Sequence, residues 1–106
     1  MESSARIRAR IERQYVLLHA ARDLDAAGAP RLGQELETIQ PSTDVVVDMS
    51  EVGHCSDDGW QVLTQATERL NAADGSLTLS RLSPEVRAEL RSSDYADRLK
   101  VRRRGR

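Results

Sequence analysis

The stretch that most constrains this chain is Asp44–Gly59, where a short apolar strand leads through a loop into a helix. Val45–Val47 is a run of high β-propensity, and it ends at Asp48. A helical pattern opens at Asp57–Gly59 and continues to a stop signal at Ala73–Gly75. Because the first amides of a helix lack intrahelical partners and carry partial positive charge, we expect the functional site in this loop.

Length and composition indicate one soluble domain. The chain has 106 residues, 39% apolar and 31% charged, which suits a single core. It contains no Phe and one Trp, so the core must be built from Leu, Val, Ile and Ala. Cys55 is the only cysteine, which excludes an internal disulfide or a multi-cysteine metal site. The longest apolar run, Tyr15–Leu18, is too short to cross a bilayer, and the N-terminus lacks a secretory signal pattern, so we expect a cytoplasmic protein without membrane insertion.

Charge is distributed unevenly along the chain. The net charge is −1, but five basic residues crowd the end: Lys100, Arg102, Arg103, Arg104 and Arg106. Without them, 11 basic residues stand against 17 acidic ones, a charge of −6. Nucleic-acid-binding domains gather basic residues on one face, so the pattern does not favour a nucleic-acid partner. We expect residues 102–106 to form a solvated basic tail.

The first third of the chain predicts two strands and a helix. Residues 5–11 alternate apolar and charged side chains, which is typical of an edge strand with one charged face. After a tight connection at Arg13 and Gln14, Tyr15–His19 predicts a more buried strand. Pro30 suits the first turn of a helix, whose apolar stripe would be Leu32, Leu36 and Ile39.

In the rest of the chain, predicted helices and strands continue to alternate. The helix at 59–73 would turn one face inward, made of Val62, Leu63, Ala66, Leu70 and Ala73. Leu77–Ser80 predicts a strand, Ser83 caps a third helix, and Leu99 with Val101 predicts a last edge strand. The order is β-β-α-β-α-β-α, which predicts a single α/β domain over residues 5–101 with a mixed, mostly parallel sheet of four to five strands.

A succession of short motifs narrows this fold to one family. In chain order they are Arg22-Asp23-Leu24-Asp25, Ala29-Pro30, Asp48-Met49-Ser50-Glu51-Val52, Gly59, Asp74-Gly75, Leu77-Thr78-Leu79 and Ser83-Pro84-Glu85-Val86-Arg87. Their order and spacing resemble the STAS domains, named for sulfate transporters and bacterial anti-sigma factor antagonists. The match needs no gaps from Asp48 to Gly75 and extends over about residues 14–99.

The resemblance implies a regulatory binding function. In anti-sigma factor antagonists of this family, the second serine of an Asp-Ser-Ser-Gly motif accepts phosphate from a kinase that is itself the anti-sigma factor. The unphosphorylated antagonist binds that kinase, and phosphorylation releases it. This chain instead carries Ser56-Asp57-Asp58-Gly59, so Asp58 stands at the phosphoacceptor position without a hydroxyl.

Two interpretations of this departure stay open. Asp58 can be a built-in substitute for phosphoserine, an N-cap that satisfies free helix amides, or both at once; the N-cap role also suits Asp57. Ser56 is a candidate displaced phosphosite, although a loop hydrogen bond is its simpler role. We expect Trp60 to keep one edge buried and one exposed as an interface anchor. The predicted partner-binding residues are His54, Asp57, Asp58, Gly59 and Trp60.

Catalysis and metal binding receive little support. His54 and Cys55 are adjacent, so their side chains diverge and make a poor zinc or nucleophile–base pair. We expect Cys55 to be a small buried hydrophobe. With no phosphate-binding Gly loop either, we expect a non-enzymatic module without cofactor or metal.

Two functions remain in view. The first is an anti-sigma factor antagonist-like protein of a partner-switching pathway, which binds an anti-sigma serine kinase or a related regulator. The second is a cytoplasmic STAS subunit that docks on the ATPase of an ABC transporter, since such subunits also depart from Asp-Ser-Ser-Gly. Association with a second copy of the chain stays open in both.

Overall fold

The computed structural model describes residues 6–11 and 15–102; for residues 6–11 it defines the backbone and the side chain of Ile7. These residues form five strands and three α-helices, and a helix follows each of the second, third and fourth strands. The elements are β1 Arg6–Ile11, β2 Val16–Ala21, α1 Ala29–Glu37, β3 Asp44–Glu51, α2 Asp57–Ala72, β4 Ser76–Ser80, α3 Pro84–Arg91 and β5 Lys100–Val101, with a short 3-10 turn at Ala96–Arg98 before the last strand.

The strands form one sheet in the order β1-β2-β3-β4-β5. β1 pairs antiparallel with β2, and the other neighbours pair in parallel because a helix separates each of them along the chain. The predicted order and the mixed, mostly parallel sheet are therefore confirmed. The predicted connection at residues 13 and 14 and the charged face of β1 lie outside the described residues or side chains.

The core lies on one face of this sheet. Alternate residues of β3 and β4 are buried, among them Val45, Val47, Leu77 and Leu79, while Val46 and Thr78 between them are partly exposed. Apolar side chains of the three helices join the same cluster, among them Leu32, Leu36, Leu63, Leu70, Val86 and Leu90.

The helices begin and end near the predicted residues, with two differences. Pro30 lies in the first turn of α1, and Ser83 caps α3, where its hydroxyl accepts a hydrogen bond from the Val86 amide at 3.1 Å. α2 begins at Asp57, the first residue of the predicted opening Asp57–Gly59 and two residues before the helix range 59–73. At its end Asp74, rather than Gly75, takes a left-handed conformation with φ 68°.

The last strand ends at Val101, as predicted, but its pairing with β4 continues through one more backbone hydrogen bond. The Arg102 amide donates to the Leu79 carbonyl at 2.7 Å, so the first residue of the predicted basic tail still pairs with β4. Residues 103–106, the remainder of that tail, lie outside the described residues.

Candidate functional site

The loop that follows β3 is fixed by backbone hydrogen bonds to the loop that follows β2. Leu24 is central: its amide donates to the His54 carbonyl at 2.9 Å, and its carbonyl accepts from the Ser56 amide at 3.0 Å. Leu24 and Cys55 thereby form a short parallel bridge, and Arg22 extends it by donating to the Glu51 carbonyl. These bonds hold the start of α2 in a defined position before any partner arrives.

The predicted binding residues divide into an exposed set and a buried set. His54, Asp57 and Asp58 are exposed, whereas Gly59 and Trp60 are buried. We call residues 53–60 the switch segment, because the sequence resemblance places the phosphoacceptor position of anti-sigma factor antagonists within it. Its exposed side chains alone are available for direct contact.

Trp60 does not have the exposed edge expected of it; that prediction is wrong. Its side chain is 1% exposed and belongs to the core cluster. In a chain without Phe, this indole is the largest of the fully buried side chains. Trp60 therefore anchors the end of the switch segment in the core.

Glycine at position 59 also has a structural explanation. A Cβ at this position would lie 2.6 Å from the Cys55 sulfur and 2.7 Å from the Leu24 carbonyl oxygen. Cys55 is buried, as predicted, and burial raises the pKa of its thiol, which keeps it protonated. The close approach of α2 to the Leu24–Cys55 bridge thus requires glycine.

The two aspartates are not N-caps, contrary to one of the interpretations. The N-cap of α2 is Ser56, so Asp57 and Asp58 occupy the first two helical positions. Ser56 uses its hydroxyl to donate to the Leu24 carbonyl at 3.3 Å, which is the loop hydrogen bond expected of it. Both carboxylates instead lie in the first turn, where the partial positive charge of the helix start favours them.

Beside Asp58 a groove runs between α1 and α2. A cavity of about 270 Å³ is bordered by Asp58, Pro30, Val62 and Gln65. The last three also border a neighbouring cavity of about 350 Å³ that reaches Gly33 and Arg69. The groove brings exposed Gln61 and Gln65 into the candidate site, two residues that the motif comparison had not singled out.

Glu89 of α3 is a further site residue that the sequence analysis missed. One of its carboxylate oxygens lies 2.6 Å from Nδ1 of His54, and the other accepts a hydrogen bond from the Cys55 amide at 2.9 Å. It comes from a segment 34 residues further along the chain, so no local motif connects the two. This carboxylate fastens α3 to the switch segment.

This contact changes the acid–base behaviour of both partners. The hydrogen bond to Glu89 raises the pKa of His54, and nearby Asp23 and Asp25 act in the same direction. Desolvation raises the pKa of Glu89, but the hydrogen bonds from Cys55 and His54 outweigh it, so this pKa is lowered. Asp25 also has a lowered pKa, chiefly because its carboxylate accepts from the Gly28 amide at 3.0 Å.

In the part of the chain that the structure describes, no three His, Cys, Asp or Glu side chains come together as metal ligands. No helix in the same part of the chain has the length and apolar character needed to span a bilayer.

Comparison with known proteins identifies the family. The family model for the Mlab, STAS domain matches residues 7–101, so the chain belongs to the STAS domain family. The comparison with curated proteins finds no match.

Several solved structures share the fold. An anti-sigma factor antagonist from Mycobacterium paratuberculosis is 17% identical, with 95% of this chain and 89% of that chain covered and a TM-score of 0.79. A Thermotoga maritima protein assigned as an anti-sigma factor antagonist is 14% identical, with coverage of 90% and 84% and a TM-score of 0.77. The antagonist SpoIIAA in its unphosphorylated form is 13% identical, with coverage of 96% and 90% and a TM-score of 0.69. At these identities the likeness concerns the fold.

Proposed function

We propose that this protein is a non-catalytic regulatory module of the anti-sigma factor antagonist type, which acts in a partner-switching pathway. The observation that carries the proposal is the placement of Asp58. Its carboxylate is exposed in the first turn of α2, at one end of the α1–α2 groove, on a segment fixed by backbone hydrogen bonds. A surface held in place before binding loses little conformational entropy when a partner docks.

The charge at position 58 sets the expected polarity of binding. Asp58 supplies one permanent negative charge, compared with about −1.5 to −2 for a phosphoserine. In the family mechanism, phosphate at this position releases the kinase. With Asp58, the affinity for the kinase would therefore lie between that of an unphosphorylated and that of a phosphorylated antagonist. It would do so without a phosphorylation cycle.

Calorimetric titration with the cognate anti-sigma kinase tests this proposal. Asp58→Ser and Asp58→Asn both remove the charge, and we expect each to tighten binding by about fivefold or more. Asp57→Asn is the matched control, because it removes the neighbouring carboxylate and leaves Asp58 in place. Equal affinity of wild type and both Asp58 variants would show that the charge serves only the helix.

Phosphorylation gives a second, independent measurement. Incubation of wild type with the kinase and ATP should add no phosphate, whereas Asp58→Ser should become a substrate. Mass spectrometry that locates phosphate on Ser56 of the wild type would move the switch two residues upstream. Ser56 would then have to release its hydrogen bond to the Leu24 carbonyl.

A second candidate function uses the same surface. Position 58 has no hydroxyl, which also suits a subunit that stays docked on the ATPase of an ABC transporter. Val62→Asp places a charge in the wall of the groove and should weaken either complex, with Glu68→Gln on the exposed side of α2 as its control. Asp58→Ser separates the two functions, because only kinase binding should respond to it strongly.

A further inference from the structure

A second surface, at the far side of α3 from the switch segment, is lined by arginines. A cavity of about 500 Å³ is bordered by the side chains of Arg81, Arg87, Arg91 and Arg102, with Leu82 and Pro84 as its apolar residues. We call this the arginine pocket. Its cations come from three separate segments: the turn after β4, helix α3 and the end of β5. Four positive charges gathered in this way contrast with the net charge of −1 of the whole chain.

These arginines have few acidic neighbours. Among the described residues, no carboxylate lies within 4.0 Å of the guanidinium groups of Arg87, Arg91 or Arg102, and Arg81 meets only Asp48, at 4.0 Å. Asp48 is 3% exposed and already accepts from the Ser50 amide and contacts His19 at 3.0 Å. It therefore neutralises little of the charge that the pocket presents to solvent.

Local conformation adds a second observation. Arg81 adopts a left-handed backbone conformation with φ 60°, which disfavours every residue except glycine. Arg87 and Arg91 lie one helical turn apart on α3, where two like charges repel. Each feature lowers the stability of the free protein, so neither the backbone conformation of Arg81 nor the spacing of Arg87 and Arg91 gives a folding reason for arginine at these positions.

We propose that the arginine pocket docks an acidic, extended segment of a protein partner. Guanidinium groups bind carboxylates in bidentate geometry, and clusters of Arg are a recurring means of recognising acidic motifs. All four arginines are exposed and are spread over three segments, so a single small anion would keep most of its water. A chain with several carboxylates can engage them together, while the exposed Pro84 can contact its apolar parts.

This surface is separate from the switch segment. Glu89 faces His54 on one side of α3, while Arg87 and Arg91 border the pocket. The proposal therefore stands whether or not the switch segment binds a kinase, and its test needs no cognate partner. A partner that contacts both surfaces would bind the domain on both sides of α3.

Fluorescence anisotropy with a labelled octaglutamate peptide and the full chain tests the proposal, at about 50 mM salt so that screening stays modest. Arg87→Gln, Arg91→Gln and Arg102→Gln should each weaken binding by about twofold to fivefold, and the triple variant by about tenfold or more. Arg81→Gly should weaken it similarly while the protein remains at least as stable as wild type, because glycine suits φ 60°.

Two controls decide between explanations. Arg31→Gln removes an exposed arginine on α1, outside the pocket, and should change the affinity little. An equal loss in Arg31→Gln, or no binding of octaglutamate by wild type, would overturn the proposal. Competition with pyrophosphate separates a small-anion site: displacement of the peptide by equimolar pyrophosphate would also overturn it.

Discussion

The switch segment and the arginine pocket lie on opposite sides of α3 and are built in opposite ways. The first is held by backbone hydrogen bonds and by buried side chains, so its exposed residues sit on a fixed support. The second consists of exposed arginine side chains from three segments. We infer that substitutions of the buried residues of the switch segment change folding strongly, whereas substitutions in the pocket change binding and have only small effects on stability.

The strongest test of this contrast is Trp60→Ala. Truncation of a fully buried Trp removes transfer free energy and leaves a cavity, so the free energy of unfolding should fall by about 3–5 kcal/mol. Urea denaturation followed by circular dichroism measures it. Gln61→Ala, at the exposed neighbouring position, should change it by less than about 0.5 kcal/mol. If the Trp60→Ala protein were as stable as wild type, the indole could not be buried in the core.

Gly59 and Gly33 form a matched pair for the next test. Gly59→Ala would drive a Cβ to within 2.7 Å of the Leu24 carbonyl oxygen, and we expect a loss of about 1–3 kcal/mol in the free energy of unfolding. Gly33→Ala meets only Val62, at an ordinary 3.5 Å, in the interior of α1. It should raise stability by about 0.5–1 kcal/mol.

Thermal unfolding of both variants checks this pair. Opposite shifts in Tm would show that the Leu24–Cys55 bridge, and not helix propensity, determines the residue at position 59. Equal shifts would mean that α2 can move away from the bridge, and that the switch segment is less rigid than its hydrogen bonds indicate.

The fold was predictable because its signals are local. Val45–Val47, Pro30 and Ser83 each predict an element from a few neighbouring residues, and the family motifs follow in order. The inward face of α2 was assigned less well. The buried positions include Trp60, Thr64 and Thr67. The two threonines are polar, so a pattern of apolar residues does not place them on the buried face.

The candidate site was predictable only where it is continuous in sequence. The motif gives the switch segment, but Glu89 reaches it from 34 residues away, and the arginine pocket gathers side chains from Arg81 to Arg102. Such contacts depend on how α3 packs, which no short pattern encodes. The same holds for Arg102. The sequence predicts it as the first residue of a solvated tail, yet its amide pairs with Leu79.

Glu89→Gln tests the link between the two regions. Glutamine can still accept from the Cys55 amide, so the change isolates the charge opposite His54. Because the pKa of His54 is raised in the folded state, its contribution is complete below the ordinary value of 6.5 and is lost as pH rises through the folded pKa. The lowered pKa of Glu89 gives a contribution that is complete above 4.5 and is lost as pH falls through its folded pKa.

The two windows overlap between pH 4.5 and 6.5, the range in which wild type should exceed Glu89→Gln most in the free energy of unfolding. Since the His54 side chain is 50% exposed, the difference should not exceed about 1 kcal/mol. Urea denaturation across this range measures it. A difference that is independent of pH would assign the effect to packing of α3 rather than to the ion pair.

The smallest expected effect is that of Arg87→Gln on stability, and it bears directly on the arginine pocket. Arg87 lies in the first half of α3, where the helix dipole disfavours a cation, and it repels Arg91 one turn later. Its removal should raise the free energy of unfolding by about 0.2–0.5 kcal/mol. Arg91→Gln relieves the same repulsion but removes a cation from the last turn, where the dipole favours it, so the two effects should nearly cancel. If Arg87→Gln instead destabilises the protein by more than Arg91→Gln does, its side chain supports the fold, and the contrast between a packed switch segment and an open pocket fails at that residue.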